Sequence, residues 1–217
     1  MKADFRSFLA VEAMPESDPT VLVIDDDPEF RESIGQVLRS VGLNPRLFAS
    51  VPDFLKSSRP DGPTCLVLDV RLPGGSGLDF QRELTAAHVQ IPIIFITGHG
   101  DVPMSVQAMK RGAIEFLTKP FRDQDLIDAI QFGLARDRAR REHEKALYAL
   151  SARFESLTLR EREIMIHIVQ GRLSKQIAGD IGISEATVKV HRSNLIRKMN
   201  TRSLAELGRM ADQLRLS

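Results

Sequence analysis

Thiol chemistry is nearly absent from this chain. Cys65 is its one cysteine and stands in an apolar run, so an internal disulfide and a zinc site built of thiolates are both excluded. The five histidines are scattered; none pairs with another His, Cys or Glu at helical ligand spacing, and no transition-metal site is expected. Long apolar runs are missing too. The longest, such as residues 91–96, fall far short of the roughly 20 residues that a membrane-spanning helix needs. Residues 1–19 lack a basic start followed by an apolar stretch, and carry Phe5, Phe8 and Leu9 among acidic residues and Pro15. They read as a mobile extension and not as a signal peptide. These absences point to a cytoplasmic protein with no membrane association. Net charge is also scarce, at +1, but the balance hides an asymmetry. Residues 20–120 hold 10 Lys/Arg against 12 Asp/Glu, whereas residues 151–217 hold 12 against 7. A basic C-terminal third suits an anionic partner such as DNA, and suits an ordinary solvated surface equally well.

What is present is rhythm. With 217 residues there is room for two domains, each with its own core. Five short β-rich runs recur, at 21–24, about 46–48, 66–68, 93–96 and 114–117. Between them, residues 29–40, 51–58, 78–87 and 104–111 place apolar side chains three and four apart. Right-handed crossovers turn such an alternation into a parallel sheet covered on both faces, with functional groups gathered at the carboxyl ends of its strands. Those ends carry Asp25-Asp26-Asp27, then Asp69 before the flexible loop 71–77, then Thr97, then Lys119. Each has an ordinary explanation: an Asp run caps a helix, a Lys-Pro pair makes a turn, and Thr97 and Phe116 are structural. Carboxylates crowded at neighbouring strand ends, however, repel unless a cation sits among them, and a hard divalent ion such as Mg²⁺ relieves that repulsion.

The segments Val21-Leu22-Val23-Ile24-Asp25-Asp26-Asp27, Leu68-Asp69-Val70-Arg71-Leu72-Pro73-Gly74, Phe95-Ile96-Thr97-Gly98 and Ala113-Ile114-Glu115-Phe116-Leu117-Thr118-Lys119-Pro120 resemble the receiver domain of bacterial two-component response regulators. The resemblance implies a flavodoxin-like, five-stranded, doubly wound α/β domain. It also implies that Asp69 accepts a phosphoryl group from a sensor histidine kinase. Lys119 and Thr97 would serve that transfer, with Mg²⁺ held by Asp25, Asp26, Asp69 and the Arg71 backbone carbonyl, Asp25 acting partly through water. Thr97 and Phe116 would form a switch pair that reshapes the surface at 104–116, and the Lys119-Pro120 bond would be cis. Gly98 departs from the alanine common after this threonine, which bears on the lifetime of the phosphorylated form.

A helical pattern then runs from 123 to about 150 with Gly133 as its weak point. Leu126, Ile127, Ile130 and Leu134 form one apolar face. Beyond Arg136 nearly every side chain is charged, with Asp137/Arg141 and Arg140/Glu144 at the i,i+4 spacing of an exposed helix. At 1.5 Å per residue this last receiver helix, extended into a linker, would span roughly 40 Å. Leu147, Leu150, Phe154 and Leu157 resume at heptad-like spacing, read as packing on the next domain in preference to a coiled coil.

From Leu157 four short helices are expected. Thr158/Glu161 and Ser203/Glu206 have capping-box spacing, and Ser174 and Ser184 stand where N-caps belong. Residues 174–181, a turn through Gly182, and 184–199 have helix-turn-helix spacing. On the last of these Val188, Leu195 and Met199 face inward with His191 at the margin, while Lys189, Val190, Ser193, Asn194 and Arg197 face out. The stretches Leu157-Thr158-Leu159-Arg160-Glu161-Arg162-Glu163, Ser174-Lys175-Gln176-Ile177-Ala178 and Ile183-Ser184-Glu185-Ala186-Thr187-Val188-Lys189-Val190-His191-Arg192 resemble the LuxR-type DNA-binding domain. By that resemblance Lys189, Val190 and Ser193 would reach base edges, Lys175, Thr187, Arg192 and Lys198 would hold phosphates, and Arg197 would do either.

The expected organisation is an extension (1–19), a receiver (20–122), a receiver-to-linker helix (123–150) and an all-α, four-helix DNA-binding domain (151–217). This order resembles the NarL/FixJ class of response regulators. It implies a phosphorylation-controlled transcription factor, not an enzyme, that dimerises on phosphorylation. Its partners would be a sensor kinase, promoter DNA and RNA polymerase. Two rivals are a phosphatase turning over through a phosphoaspartate and a constitutive DNA-binding regulator with a vestigial acidic pocket.

Overall fold

A computed structural model describes residues 18–98 and 102–215. Apart from Asp18 and Pro19, the expected extension at 1–19 therefore lies outside the described residues. The chain divides into two compact units, one reaching Arg141 and the other starting at Glu142. Among the described residues no helix is long and apolar enough to cross a membrane.

The first unit contains, in order, β1 (Thr20–Ile24), α1 (Pro28–Ser40), β2 (Asn44–Phe48), α2 (Val51–Leu55), β3 (Thr64–Asp69), β4 (Arg71–Leu72), β5 (Gly75–Ser76), α3 (Gly77–Ala86), β6 (Ile93–Thr97), α4 (Val102–Lys110) and β7 (Glu115–Thr118). It is completed by the first half of α5 (Asp123–Glu155). The five main strands pair in parallel in the order β2-β1-β3-β6-β7. Successive strand side chains point to opposite faces. Leu22, Ile24, Leu66, Leu68 and Phe95 bury against Phe54, Phe80, Leu84 and Ala108 of α2, α3 and α4. Val21, Val23, Cys65, Val67, Ile94 and Ile96 bury against Ile34 and Leu38 of α1 and Leu126, Ile130 and Leu134 of α5. Burial on both faces is why these strands read as unbroken apolar runs. Gly133 has a packing reason: a Cβ there would lie 2.7 Å from Cys65 Sγ, so a residue that costs the helix stability leaves room for Cys65 of β3.

Two segments differ from expectation. The loop at 71–77, expected to be flexible, holds the antiparallel ladder of β4 and β5, with Arg71 opposite Ser76 and Leu72 opposite Gly75. Pro73-Gly74 closes it, Gly74 supplying a φ of 86°. The charged turn beginning at Asp137 is not a free, exposed helix either. Asp137 is buried, and its carboxylate accepts from the Thr64 N–H at 2.9 Å, Arg140 at 2.6 Å and Arg141 at 2.7 Å. Arg141 also donates to the carbonyls of Asp61 (2.6 Å) and Pro60 (3.2 Å). The charges anchor α5 to the amino end of β3 one turn past its last apolar contact. The helix then continues unbroken to Glu155, five residues beyond the expected end.

The second unit adds α6 (Leu159–Val169), α7 (Ser174–Ile181), α8 (Glu185–Met199) and α9 (Leu204–Gln213). Ile164, Met165, Ile168, Ile177, Val188, Leu195, Met199 and Leu207 form its core. Leu150 and Leu157 are buried in that core with Phe154 packed beside it, so these three members of the heptad-like series serve packing, while Leu147 is half-buried. Thr158 and Glu161 make the full capping box, and Ser184 caps α8 through the Thr187 N–H. Ser174 does not cap α7. It is the first helical residue, and the extended Leu173 takes the N-cap position, its N–H donating to Gln176 Oε1. Only half of the Ser203 box forms. Ser203 Oγ accepts from the Glu206 N–H, but the Glu206 carboxylate takes the Arg202 N–H and the Thr201 hydroxyl.

Candidate functional site

Connections from β1 and β3 leave the sheet in opposite directions, to β2 and to β6. Such a divergence opens a crevice at the strands' carboxyl ends. The three aspartates after β1 divide their work there. Asp27 caps α1, accepting from the N–H groups of Glu29 (2.9 Å) and Phe30 (3.2 Å). Asp25 and Asp26 join Asp69, one oxygen from each lying within 4.8 Å of the others. Asp25 is wholly buried and Asp69 nearly so, whereas Asp26 is open to solvent. Lys119 reaches in from the end of β7 and sets Nζ 2.8 Å from Asp25 Oδ2 and 2.9 Å from Asp69 Oδ2. The remaining oxygens are held by backbone: Asp25 Oδ1 accepts from the Asp27 N–H (2.9 Å) and Asp69 Oδ1 from the Arg71 N–H (2.8 Å).

Burial pushes the Asp25 pKa up, the Lys119 ammonium and the Asp27 N–H oppose this only in part, and the nearby Asp69 charge adds to the rise. Burial also works against the Lys119 ammonium, but hydrogen bonds and attraction from Asp25 and Asp69 prevail and raise its pKa. The Lys119 ammonium is thus held between two carboxylates of a group of three. The oxygen-only donor set and the charge deficit fit a hard divalent ion such as Mg²⁺. Thr97, the last residue of β6, is fully buried, and its carbonyl accepts from the Lys119 N–H at 2.8 Å. Phe116 lies opposite Phe95 in the β6–β7 register, ring centroids 6.3 Å apart, and is only partly buried. The Lys119-Pro120 bond is cis.

Sequence reasoning missed two residues of this site. The Phe30 ring lies under the Lys119 ammonium, 3.6 Å from Nζ to centroid, and is braced edge-on by Phe121 at 6.1 Å. A Cβ on Gly77 would lie 2.3 Å from the Asp69 carbonyl oxygen, so only glycine lets α3 start against the end of β3. An aromatic in the first turn after the acidic run, and a glycine just before a helical pattern, were the available signals.

In the second unit α8 presents Lys189, Val190, Ser193 and Arg197 to solvent, with Arg192 and Asn194 half-buried beside them. Lys175 on α7 and Thr187 are exposed, the Thr187 hydroxyl 2.8 Å from Ser184 Oγ. Lys189 pairs with Glu185 one turn away at 2.8 Å, and Arg197 with Asn194 at 3.2 Å, both on the surface. Lys198 differs from the other expected phosphate contacts: its Nζ is 2.7 Å from the buried Glu161 carboxylate and 3.1 Å from the Ser156 carbonyl.

A doubly wound sheet with carboxylates and a lysine at its switch point, followed by a helix-turn-helix with a cationic outer face, defines a signal-receiving DNA-binding regulator. The comparisons name the family. Residues 21–131 match the response regulator receiver domain and residues 155–211 the bacterial regulatory proteins of the luxR family. Over 197 residues the chain is 50% identical to Nodulation protein W of Bradyrhizobium diazoefficiens, covering 91% of this chain and 87% of that one. It is 45% identical to the transcriptional regulatory protein FixJ of Azorhizobium caulinodans, covering 91% and 93%. The solved structure of response regulator StyR superposes with a TM-score of 0.83 at 48% identity, covering 91% and 100%. The chain belongs to the NarL/FixJ class of response regulators, the phosphorylation-controlled transcriptional regulators with a receiver and a LuxR-type DNA-binding domain.

Proposed function

We propose that Asp69 is the phosphoacceptor. A phosphohistidine N–P bond on a sensor kinase breaks as a bond forms between phosphorus and an Asp69 carboxylate oxygen. The observation that carries this is the Lys119 ammonium held between Asp25 and Asp69 at 2.8 and 2.9 Å. It is a cation placed where negative charge gathers on the transferring group. Asp25, Asp26, Asp69 and the Arg71 carbonyl are the groups that would hold Mg²⁺, Asp25 partly through water. Bound there, such an ion would supply positive charge to neutralise phosphoryl oxygens. Phe30 and the Arg71 N–H keep Lys119 and Asp69 aimed before the donor arrives.

Once Asp69 carries the phosphoryl group as an acyl phosphate, Lys119 loses half of its ion pairing and turns to the phosphoryl oxygens. The Thr97 hydroxyl moves to the same oxygens, and the half-buried Phe116 ring follows into the space released. The affected surface, on α4 and β7, exposes Val102 (75%), Val106 (45%) and Met109 (44%). It is the face through which two phosphorylated chains pair in the cytoplasm. Pairing sets two α8 helices on promoter half-sites, where Lys189, Val190 and Ser193 read bases, Lys175, Thr187 and Arg192 hold phosphates and Arg197 does either, with RNA polymerase as the further partner. Asp69→Asn tests the reading. With a small phosphodonor and Mg²⁺, the wild type should shift on a phosphate-retarding gel and sediment as a dimer, and the variant should do neither. A variant that still takes up phosphate would move the acceptor elsewhere.

A further inference from the structure

Lys198 belongs by sequence with the cations that would face DNA, yet its ammonium is engaged inside the domain. Its Nζ donates to Glu161 Oε2 at 2.7 Å and to the Ser156 carbonyl at 3.1 Å. The same Glu161 oxygen accepts from the Thr158 N–H at 2.8 Å, while Thr158 Oγ1 accepts from the Glu161 N–H at 3.2 Å. One carboxylate, its side chain 4% exposed, therefore closes the start of α6 and anchors α8. Ser156 follows the last residue of α5, and its carbonyl is one of the acceptors that a helix end leaves without an internal partner. The neighbouring Glu155 carbonyl accepts from Arg162 of α6 at 2.9 Å, and that guanidinium lies 4.9 Å over the Phe154 ring. The end of α5 is thus held by a cation from α8 and another from α6. Turning Lys198 towards a phosphate would strand a buried carboxylate.

We propose that Lys198 acts on DNA only through α8. With Glu161 it forms a positioning pair that ties the recognition helix to the last turn of α5, so that the presentation of Lys189, Val190 and Ser193 follows that turn. The proposal rests on the DNA-binding reading above and replaces the phosphate contact expected of this lysine.

The test uses the full chain as wild type, K198M, K198R, E161Q, the K198M/E161Q double variant and K175M. Each is titrated onto a duplex that the wild type selects from a randomised pool, and onto a random-sequence duplex of equal length, over a salt series. K198M and E161Q should each lower the preference for the selected duplex about tenfold, the weight of one misplaced base contact. The double variant should lose no more than either single one, and K198R, which keeps the ion pair, should retain wild-type preference. K198M should leave the slope of log K against log salt unchanged, whereas K175M should reduce it by about 0.9 per subunit. A reduction of that size for K198M overturns the proposal, as does tighter binding by E161Q to both duplexes. If K198M fails to fold by circular dichroism, E161Q decides: unchanged preference in a folded protein is the overturning result. A wild type that selects no duplex at all marks failure of the DNA-binding reading itself, which loss of preference in the variants alone does not.

Discussion

Asp69 sits at the end of a strand buried on both faces, one oxygen held by a backbone N–H and the other by Lys119. Lys189 stands exposed on α8 and pairs with Glu185 of its own helix, both side chains open to water. The difference suits the two tasks proposed above. Phosphoryl transfer needs charge placed before the reaction begins, and buried groups held by backbone reorganise little. DNA binding draws its strength from releasing counterions, which requires cations free to leave water for phosphate, and exposed pairs cost little to open. On that reading the receiver carries its function in a largely buried cluster held in place beforehand, and the second domain carries its own on an exposed surface.

Removing the cation from the enclosed cluster should have the largest effect. Lys119→Met is expected to slow phosphorylation of Asp69 by about 10²-fold or more, measured as phosphoprotein formed from a small phosphodonor with time, while the receiver stays folded. An unchanged rate would place the pocket with the relaxed surfaces and break the contrast. Gly77→Ala comes next. Its new Cβ would lie 2.3 Å from the Asp69 carbonyl oxygen, so the end of β3 or the start of α3 must shift, at about 1–3 kcal/mol by analogy with overpacked cores. A urea melt reads the loss, and no change in midpoint would mean that the pocket floor is softer than its geometry.

The smallest effect is the sharpest test, because the contributions of Asp25 and Glu161 should respond to acid with opposite signs. Burial, only partly offset by Lys119, holds the Asp25 pKa above 3.8, so the folded receiver binds that proton more tightly than the unfolded chain. Its contribution is present at low pH and lost as pH rises from about 3.8 through the raised value. At Glu161 burial also opposes the charge, but Lys198 and the Thr158 N–H and hydroxyl prevail and hold the pKa below 4.5. Its contribution is present above 4.5 and lost as pH falls through the lowered value. In chelator, Asp25→Asn should remove a loss of receiver stability with rising pH, and Glu161→Gln a loss of C-terminal stability on acidification. Urea midpoints across that range read both, and parallel profiles would erase the distinction.

Much of this was legible in the chain because it depends on local periodicity. Val21 to Ile24 and Leu66 to Leu68 announced strands covered on both faces, and Asp25, Asp69, Thr97 and Lys119 fell at strand ends whose convergence the alternation of strand and helix dictates. The outward face of α8 followed from 3.6-residue geometry alone. Where the reading failed, the deciding partner was distant in sequence. Asp137 looked solvated until the Thr64 N–H, 73 positions away, met it. Lys198 read as a cation free for phosphate, and the structure pairs its ammonium with Glu161, 37 positions away. Phe30 under Lys119 and Gly77 against the Asp69 carbonyl are also contacts between separate elements. The sequence by itself determined which residues each element offers and on which face. Only the tertiary structure decided which charges are used up inside the protein and which remain for phosphate and DNA, because a buried ion must find its partner across the fold, whatever its place in the chain.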